Sequence, residues 1–363
     1  MERETVLVER FFWVDALRGL AAVAIVVFHY HHFYLADAFG RGDLPPVESF
    51  PYATLLKPLY GPWAANAVEL FWLISGFVFA HVYTRRAATA WEFGVARFAR
   101  LYPLHLATLL YVTGLQWVSL AQAGHWQVYG NNDPWHFILQ LFMASNWPTF
   151  SWGLSFNGPI WSVSLEVLVY CGFFLCLGLL RQAPLLASAV LCALCWCWFW
   201  WQTEPTFYLS RGVFRCAGYF FLGATLYALR PHAGLARAGL LAAVGAAAAV
   251  VGSVYAAEQW IIVGVSVAVL SLFAAMDRVA PMAGERLSAL GDISYSLYLV
   301  HVPLQMTVLL LADLAFSGTR AFSDSPLTLP LYLLASILTA HAAYRWFERP
   351  VGTQIRRRLL RVS

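Results

Sequence analysis

Between Asp15 and Tyr30 the chain reads DALRGLAAVAIVVFHY, an apolar run with an arginine near its start and a histidine eleven residues later. At about 100° per residue, eleven steps close three turns with roughly 20° to spare. On a helix, Arg18 and His29 therefore share a face, about 16 Å apart along the axis, and Asp15 joins it. A neutral imidazole is well suited to taking a proton from a hydroxyl near neutral pH. His31 and His32 follow directly and point to a polar interior lined by this helix. Arg97 and Arg100, in ARFARLYP, stand i and i+3, which sets two guanidinium forks side by side where they can grip a phosphate or pyrophosphate. Ordinary topology-setting charge explains the same spacing. Glu69 in NAVELFWLISGFVFA and Glu166 in GPIWSVSLEVLVY are carboxylates inside apolar runs. They suit either the orientation of an imidazole or the balancing of a buried arginine. Ser75 and Ser164 lie in the same two segments and join Arg18, Asp15, Arg97 and Arg100 as candidate donor-binding residues. His105 and His301 complete the set of ionisable groups in apolar surroundings, and a structural hydrogen bond is the simpler account of each.

The elements that must position these residues are membrane helices. Of the 363 residues 60% are hydrophobic and only 12% are charged, with mean hydropathy +0.63, whereas soluble domains carry about 25% charged residues. Apolar segments recur along the whole chain and leave no room for a soluble domain, so one membrane domain is expected over residues 1–363. The net charge of +4 comes almost wholly from arginine, Lys57 being the one lysine. The six cysteines all lie in apolar runs, and the CxxC of Cys192 and Cys195 has no histidine or carboxylate beside it. These read as small buried hydrophobes, and neither a metal nor a bound cofactor is expected. The start, MERETVLVERFFW, carries both signs of charge and no small-residue cleavage site, so it reads as a stub of about residues 1–12 rather than a removed signal.

Ten spans are predicted: 13–35, 64–83, 99–120, 159–180, 184–201, 210–229, 238–256, 259–276, 289–312 and 326–347. With the N-terminus inside, the inner connections hold Arg85, Arg86, Arg97, Arg100, Arg181, Arg230, Arg237, Arg278 and Arg286. A basic tail over about 348–363 adds Arg349, Arg356, Arg357, Arg358 and Arg361. The outer side holds Arg41, Lys57 and Arg320, with Arg211 and Arg215 at a span edge. That asymmetry places both termini in the cytoplasm. The outer loop 36–63 carries Asp37, Asp43, Glu48 and several prolines. The other long outer loop, 121–158, is rich in Trp, Asn, Gly and His, and its DPWHFILQLFMASNW resembles a short interfacial or re-entrant helix. Such loops can cover a site, and their aromatic rings can stack on sugars or sit at the headgroup level.

Five stretches in this order resemble the acyltransferase family 3, membrane O-acyltransferases of bacterial surface glycans, Nod factors and some macrolides. VDALRGLAAVAIVVFHY is similar to the family's Asp-Gly-Leu-Arg-Gly opening, with ten residues between its arginine and its histidine. AVELFWLISGFVFA, RFARLYPLHLATLL and PIWSVSLEVLVY are similar to its second, third and fourth motifs, and SYSLYLVHVPL with RWFERP to its ending. Ala16 stands where a glycine is usual, and Val167 where many members have a second acidic residue. The resemblance implies an all-α polytopic bundle of about ten helices in the bacterial inner membrane. It implies transfer of an acyl group, usually acetyl, from cytoplasmic acyl-CoA to a hydroxyl facing the other side. His29 matches the essential histidine and Arg18 its partner, while Arg97 and Arg100 match the pair suspected of meeting the donor. Glu166 or Glu69 is expected to support His29. The expected partners are acyl-CoA, a carbohydrate or lipid-linked glycan acceptor and membrane lipids; nucleic acid is not expected, and a homodimer is left open. The alternatives are a small secondary metabolite as acceptor, or a transporter of an envelope lipid, although no internal repeat marks a transporter.

Overall fold

The computed structural model describes residues 10–38, 44–85, 88–147, 153–202 and 211–360. The first nine residues of the stub, and Arg41, Asp43, Arg86 and Arg361, lie outside the described residues. Among the described residues there is no strand. In chain order the helices are α1 (Phe12–Phe28), α2 (Ala53–Tyr60), α3 (Pro62–Ala65), α4 (Ala67–Tyr83), α5 (Ala90–Ala123), α6 (Pro134–Leu141), α7 (Ile160–Leu175) and α8 (Leu177–Gln182). They continue with α9 (Pro184–Trp201), α10 (Arg211–Leu229), α11 (Leu235–Val254), α12 (Glu258–Met276), α13 (Pro281–Asp292), α14 (Ser294–Ala315), α15 (Thr328–Ala343) and α16 (Arg349–Leu359).

This is a membrane bundle, and the physical reason for its helicity is that a chain in hydrocarbon must satisfy its own backbone hydrogen bonds. Each of the ten expected spans meets a helix. Among the described residues eight helical segments are long and apolar enough to cross a membrane; α7 and α15 have 16 residues each. The bounds differ where local chemistry intervenes. α5 begins at Ala90, well before the expected residue 99, because Thr89 and Glu92 form a reciprocal capping box, and it ends at Gly124 in the left-handed conformation that glycine tolerates. The expected span 289–312 is two helices with a break at Ile293. α1 stops at Phe28, and a 3₁₀ turn over His29–Tyr34 continues it. The expected basic tail is helical from Arg349 to Leu359 and follows a π turn over Tyr344–Glu348.

Close approach of helix backbones depends on glycine. A side chain at Gly76 of α4 would meet the carbonyl of Phe220, and one at Gly223 of α10 would meet that of Leu73, so these two helices cross backbone to backbone. Gly291, at the end of α13, lies in the same way against the backbone of Asp15, which brings the start of α14 beside the start of α1.

Candidate active site

Two polar centres lie at opposite ends of α1, and α14 runs between them. At the start of α1, a cavity of about 150 Å³ is lined by Arg18, Ser75, Arg97, Arg100, Glu166 and Tyr170 together with Ser294, Tyr295 and Tyr298 of α14. Arg18 donates from Nε to Ser294 Oγ (3.0 Å) and from Nη2 to Gly291 O (2.8 Å), and Nη2 stands 3.1 Å from Asp15 Oδ1. Asp15 does not line the cavity. Its other oxygen is 2.6 Å from Arg10 Nε, so it acts as a counter-ion between two arginines rather than as the donor contact expected.

The Arg97 guanidinium lies 4.8 Å from the Phe79 ring centre, and its buried Nε has no hydrogen-bond partner. Glu166, 9% exposed, shares the cavity wall with Ser75 and Tyr170, with Arg97 and Arg18 as its neighbouring cations. Its Oε1 is buried and unpartnered. A free donor and a free acceptor thus stand in one cavity, and such groups are rare in native structures. Arg100 is ion-paired with Glu348, which is 3% exposed and also accepts from Ser296 Oγ at 2.5 Å.

At the far end of α1, His29 lies in a cluster of imidazoles. Its Nδ1 is 2.9 Å from Ile25 O and 3.2 Å from Nε2 of His301, while His301 Nδ1 is 3.1 Å from Leu297 O. Carbonyls only accept, so both Nδ1 atoms carry the proton. His301 then offers a lone pair at Nε2 to His29 Nδ1–H, and the lone pair of His29 is on its own Nε2; these tautomers are assigned from the network. Gln305 donates from Nε2 to His29 O (2.8 Å) and accepts at Oε1 from His32 Nδ1 (3.1 Å), fixing the turn that presents the ring. The ring of Tyr129, from the loop after α5, stands edge-on to His32 at 5.6 Å.

On α14, Ser294, Tyr298, His301 and Gln305 follow i, i+4, i+7 and i+11, one face of a helix. Arg18 meets Ser294 and His29 meets Gln305, each pair eleven residues along its own helix, so α1 and α14 run in register. Tyr298 stands between the two centres. It lines the cavity, its ring is 6.0 Å from that of His301, and its hydroxyl donates to Pro159 O at 2.8 Å.

The structure therefore brings together Arg18, Ser75, Arg97, Arg100 and Glu166, and places His29 beside His301. The expected carboxylate support of His29 is replaced by this second imidazole, because both candidate carboxylates are engaged elsewhere. Glu166 belongs to the arginine cavity, and Glu69 Oε1 is 3.4 Å from Arg215 Nη2. Ser164 is also displaced from its expected role. Its hydroxyl donates to Trp161 O (2.7 Å) and accepts from Asn146 N (3.2 Å), holding the loop after α6 against α7. His105 makes the structural bond considered for it, with Nε2 2.7 Å from Gln140 O. Glu348 and Gln305 were not among the candidates. The only sequence signal for them was a polar residue within the terminal motifs SYSLYLVHVPLQ and RWFERP.

Residues 11–345 match the family described as an acyltransferase domain, numbered 3 among such families. The chain is 34% identical over 139 residues to "Acyltransferase MdmB" of Streptomyces mycarofaciens, a match over 35% of this chain and 34% of that protein. It is 38% identical over 120 residues to "Protein 2 in picA locus" of Rhizobium radiobacter, over 30% of this chain and 51% of that protein. The matches thus span about a third and about half the length of these relatives. No solved structure matches the chain.

Proposed function

The chain belongs to the acyltransferase 3 family and is an acyltransferase, and on that premise we propose that it moves an acyl group, acetyl by preference, from acyl-CoA to a hydroxyl of an envelope or exported carbohydrate. The donor enters from the cytoplasm at the Arg18 end, the acceptor comes from the other side of the bacterial inner membrane to the His29 end, and both termini are cytoplasmic.

The observation that carries this reading is the tautomer of His29: Nδ1–H is held by Ile25 O and His301, which leaves the lone pair on Nε2. The acceptor O–H gives its proton to Nε2 as its oxygen attacks the thioester carbonyl. The C–S bond then breaks, and the CoA thiolate takes the proton back from His29, leaving an ester and free CoA. The protonated ring keeps both contacts at Nδ1 throughout, so His301 stabilises it without adding a second charge. The donor's pantetheine arm supplies amides, each with one N–H and one C=O. The free Oε1 of Glu166 and free Nε of Arg97 are the acceptor and donor that such an amide needs. At about 150 Å³ the cavity suits this arm and the acyl tip, because sites for whole drug-sized molecules run to about 300–1,000 Å³. A lipid-linked glycan is the favoured acceptor, since the aromatic outer loop closes over the histidines at Tyr129.

The test is transfer of radiolabelled acetyl from acetyl-CoA into envelope glycans, in membranes holding the wild type, His29→Ala or no protein. Label is expected with the wild type and is expected to fall by about 10²–10⁴-fold with His29→Ala, the usual contribution of a general base. Near wild-type transfer by His29→Ala sinks the assignment. Because direct transfer needs donor and acceptor bound together, double-reciprocal plots are expected to intersect; parallel lines point to an acyl-histidine intermediate instead.

A further inference from the structure

We propose that the arginine face of α16 binds the phosphates of the acyl donor's nucleotide, an inference that rests on acyl-CoA being the donor. The cavity cannot hold them. Two of its three arginines are matched by carboxylates, Arg18 by Asp15 and Arg100 by Glu348, the third lies against Glu166, and the volume is about 150 Å³. The nucleotide, with a diphosphate and a 3′-phosphate, must stay outside and needs unmatched cations close to the mouth.

The segment that supplies Glu348 to Arg100 supplies those cations as well. Arg345, Arg349, Arg357 and Arg358, with Thr353 and Gln354, line a basin of about 680 Å³. All four arginines are exposed, and among the described residues none is ion-paired. Arg345, Arg349, Thr353 and Arg357 repeat at i+4, so they form one stripe. Within it, Arg349 and Arg357 of α16 are about 12 Å apart by helical rise, which suits two separate phosphate groups rather than one.

α16 is also fixed beside the cavity. Gly352 packs on the carbonyl of Ala99, one residue before Arg100, and Trp91 Nε1 of α5 donates to Leu359 O at 3.0 Å. Glu348 and Gly352 thus face α5, and the arginine stripe lies on the adjoining, solvent-facing side. Arginine forks bind phosphate oxygens in pairs, and Gln354 adds a neutral donor beside them, while Thr353 Oγ1 donates to Arg349 O at 2.8 Å. The family match ends at residue 345, so the α16 arginines lie beyond the part of the chain that it accounts for.

The experiment uses the full-length protein in discs of phosphatidylcholine alone, or with phosphatidylglycerol added. It measures binding of CoA and of 3′-dephospho-CoA to the wild type and to the triple variant Arg349→Gln, Arg357→Gln, Arg358→Gln. The wild type is expected to prefer CoA to dephospho-CoA. The variant is expected to bind CoA at least about tenfold more weakly and to lose that preference, in both disc types. The single change Arg357→Gln, at an exposed side chain, is expected to move affinity the same way by a few-fold should the triple change disturb the docking of α16. Equal CoA binding by wild type and variants overturns the inference and leaves the donor reading standing. A loss confined to discs with phosphatidylglycerol assigns the face to lipid headgroups and overturns it too. A wild type that binds neither nucleotide overturns the donor reading along with it.

Discussion

A base that works inside a membrane has to be ready without carrying a charge at rest. Burying an isolated ion is costly, by about 2.5–3.5 kcal/mol even on insertion scales, so a carboxylate behind His29 would itself need a partner. His301 avoids that cost: it is neutral, fully buried, and its tautomer is set by Leu297 O. Because it acts through His29, its loss is expected to lower kcat about tenfold or more while the KM for acyl-CoA stays within about twofold. His301→Gln, whose amide oxygen can accept from Nδ1–H, is expected to recover part of that rate; initial rates of CoA release measure both. A rise in KM with unchanged kcat contradicts the positioning role. Where a buried charge does occur, its partner is close. Glu348→Ala leaves Arg100 without its carboxylate and is expected to cost about 3–5 kcal/mol, a penalty that Arg100→Leu in the same chain relieves. Thermal melting of the single and double variants in detergent reads the difference; equal melting points for all three refute the coupling.

At the scale of the element, what was legible in the sequence was whatever depends on neighbours along the chain. Hydropathy put a helix within each expected span, and the eleven-residue spacing of Arg18 and His29 put them toward opposite ends of α1 and the turn that continues it. The pairing of that spacing with Ser294 and Gln305 was not legible, because those partners are 276 residues away from Arg18 and His29 and meet them through the packing of α1 on α13 and α14, the Gly291 contact with Asp15 included. The place of Glu166 is hidden for the same reason: its apolar surroundings are visible in the sequence, but its position beside Ser75, Tyr170 and Arg97 comes from packing. The stop of α1 at Phe28 carries no proline or glycine signal, and the 3₁₀ turn is held by Gln305 from another helix. Packing that rests on glycine gives a sharp test of the element scale. Gly223→Leu drives a side chain into the Leu73 carbonyl and is expected to cost about 1–3 kcal/mol or more by forcing α4 and α10 apart. Gly114→Ala on α5, with open space around it, is expected to change stability by less than about 0.5 kcal/mol. Fluorescence-detected size exclusion after heating separates these outcomes, and equal behaviour of the two variants refutes the backbone-contact account.

At the scale of the whole molecule, the proposed reaction has two entrances, the arginine cavity and the histidine cluster, which lie along α1 and α14 with Tyr298 between them. The arrangement gives the bundle a direction. Arg18, Arg97, Arg100 and Glu348 come from the starts of α1 and α5 and the segment after α15, so one end gathers the arginine forks. His29 and His301 lie further along α1 and α14, with Tyr129 of the loop after α5 packed on the neighbouring His32. A polyanionic donor does not cross a bilayer, so the side on which it is consumed reports which end faces the cytoplasm. Sealed inverted vesicles present the cytoplasmic face, and they are expected to release CoA from added acetyl-CoA without permeabilisation. Right-side-out vesicles are expected to remain silent until detergent opens them, and then to match the inverted ones. The reverse pattern inverts the orientation proposed for the protein while keeping the chemistry. Equal activity in both sealed preparations contradicts the separation of the two entrances, because a single opening would then have to admit donor and acceptor from the same side.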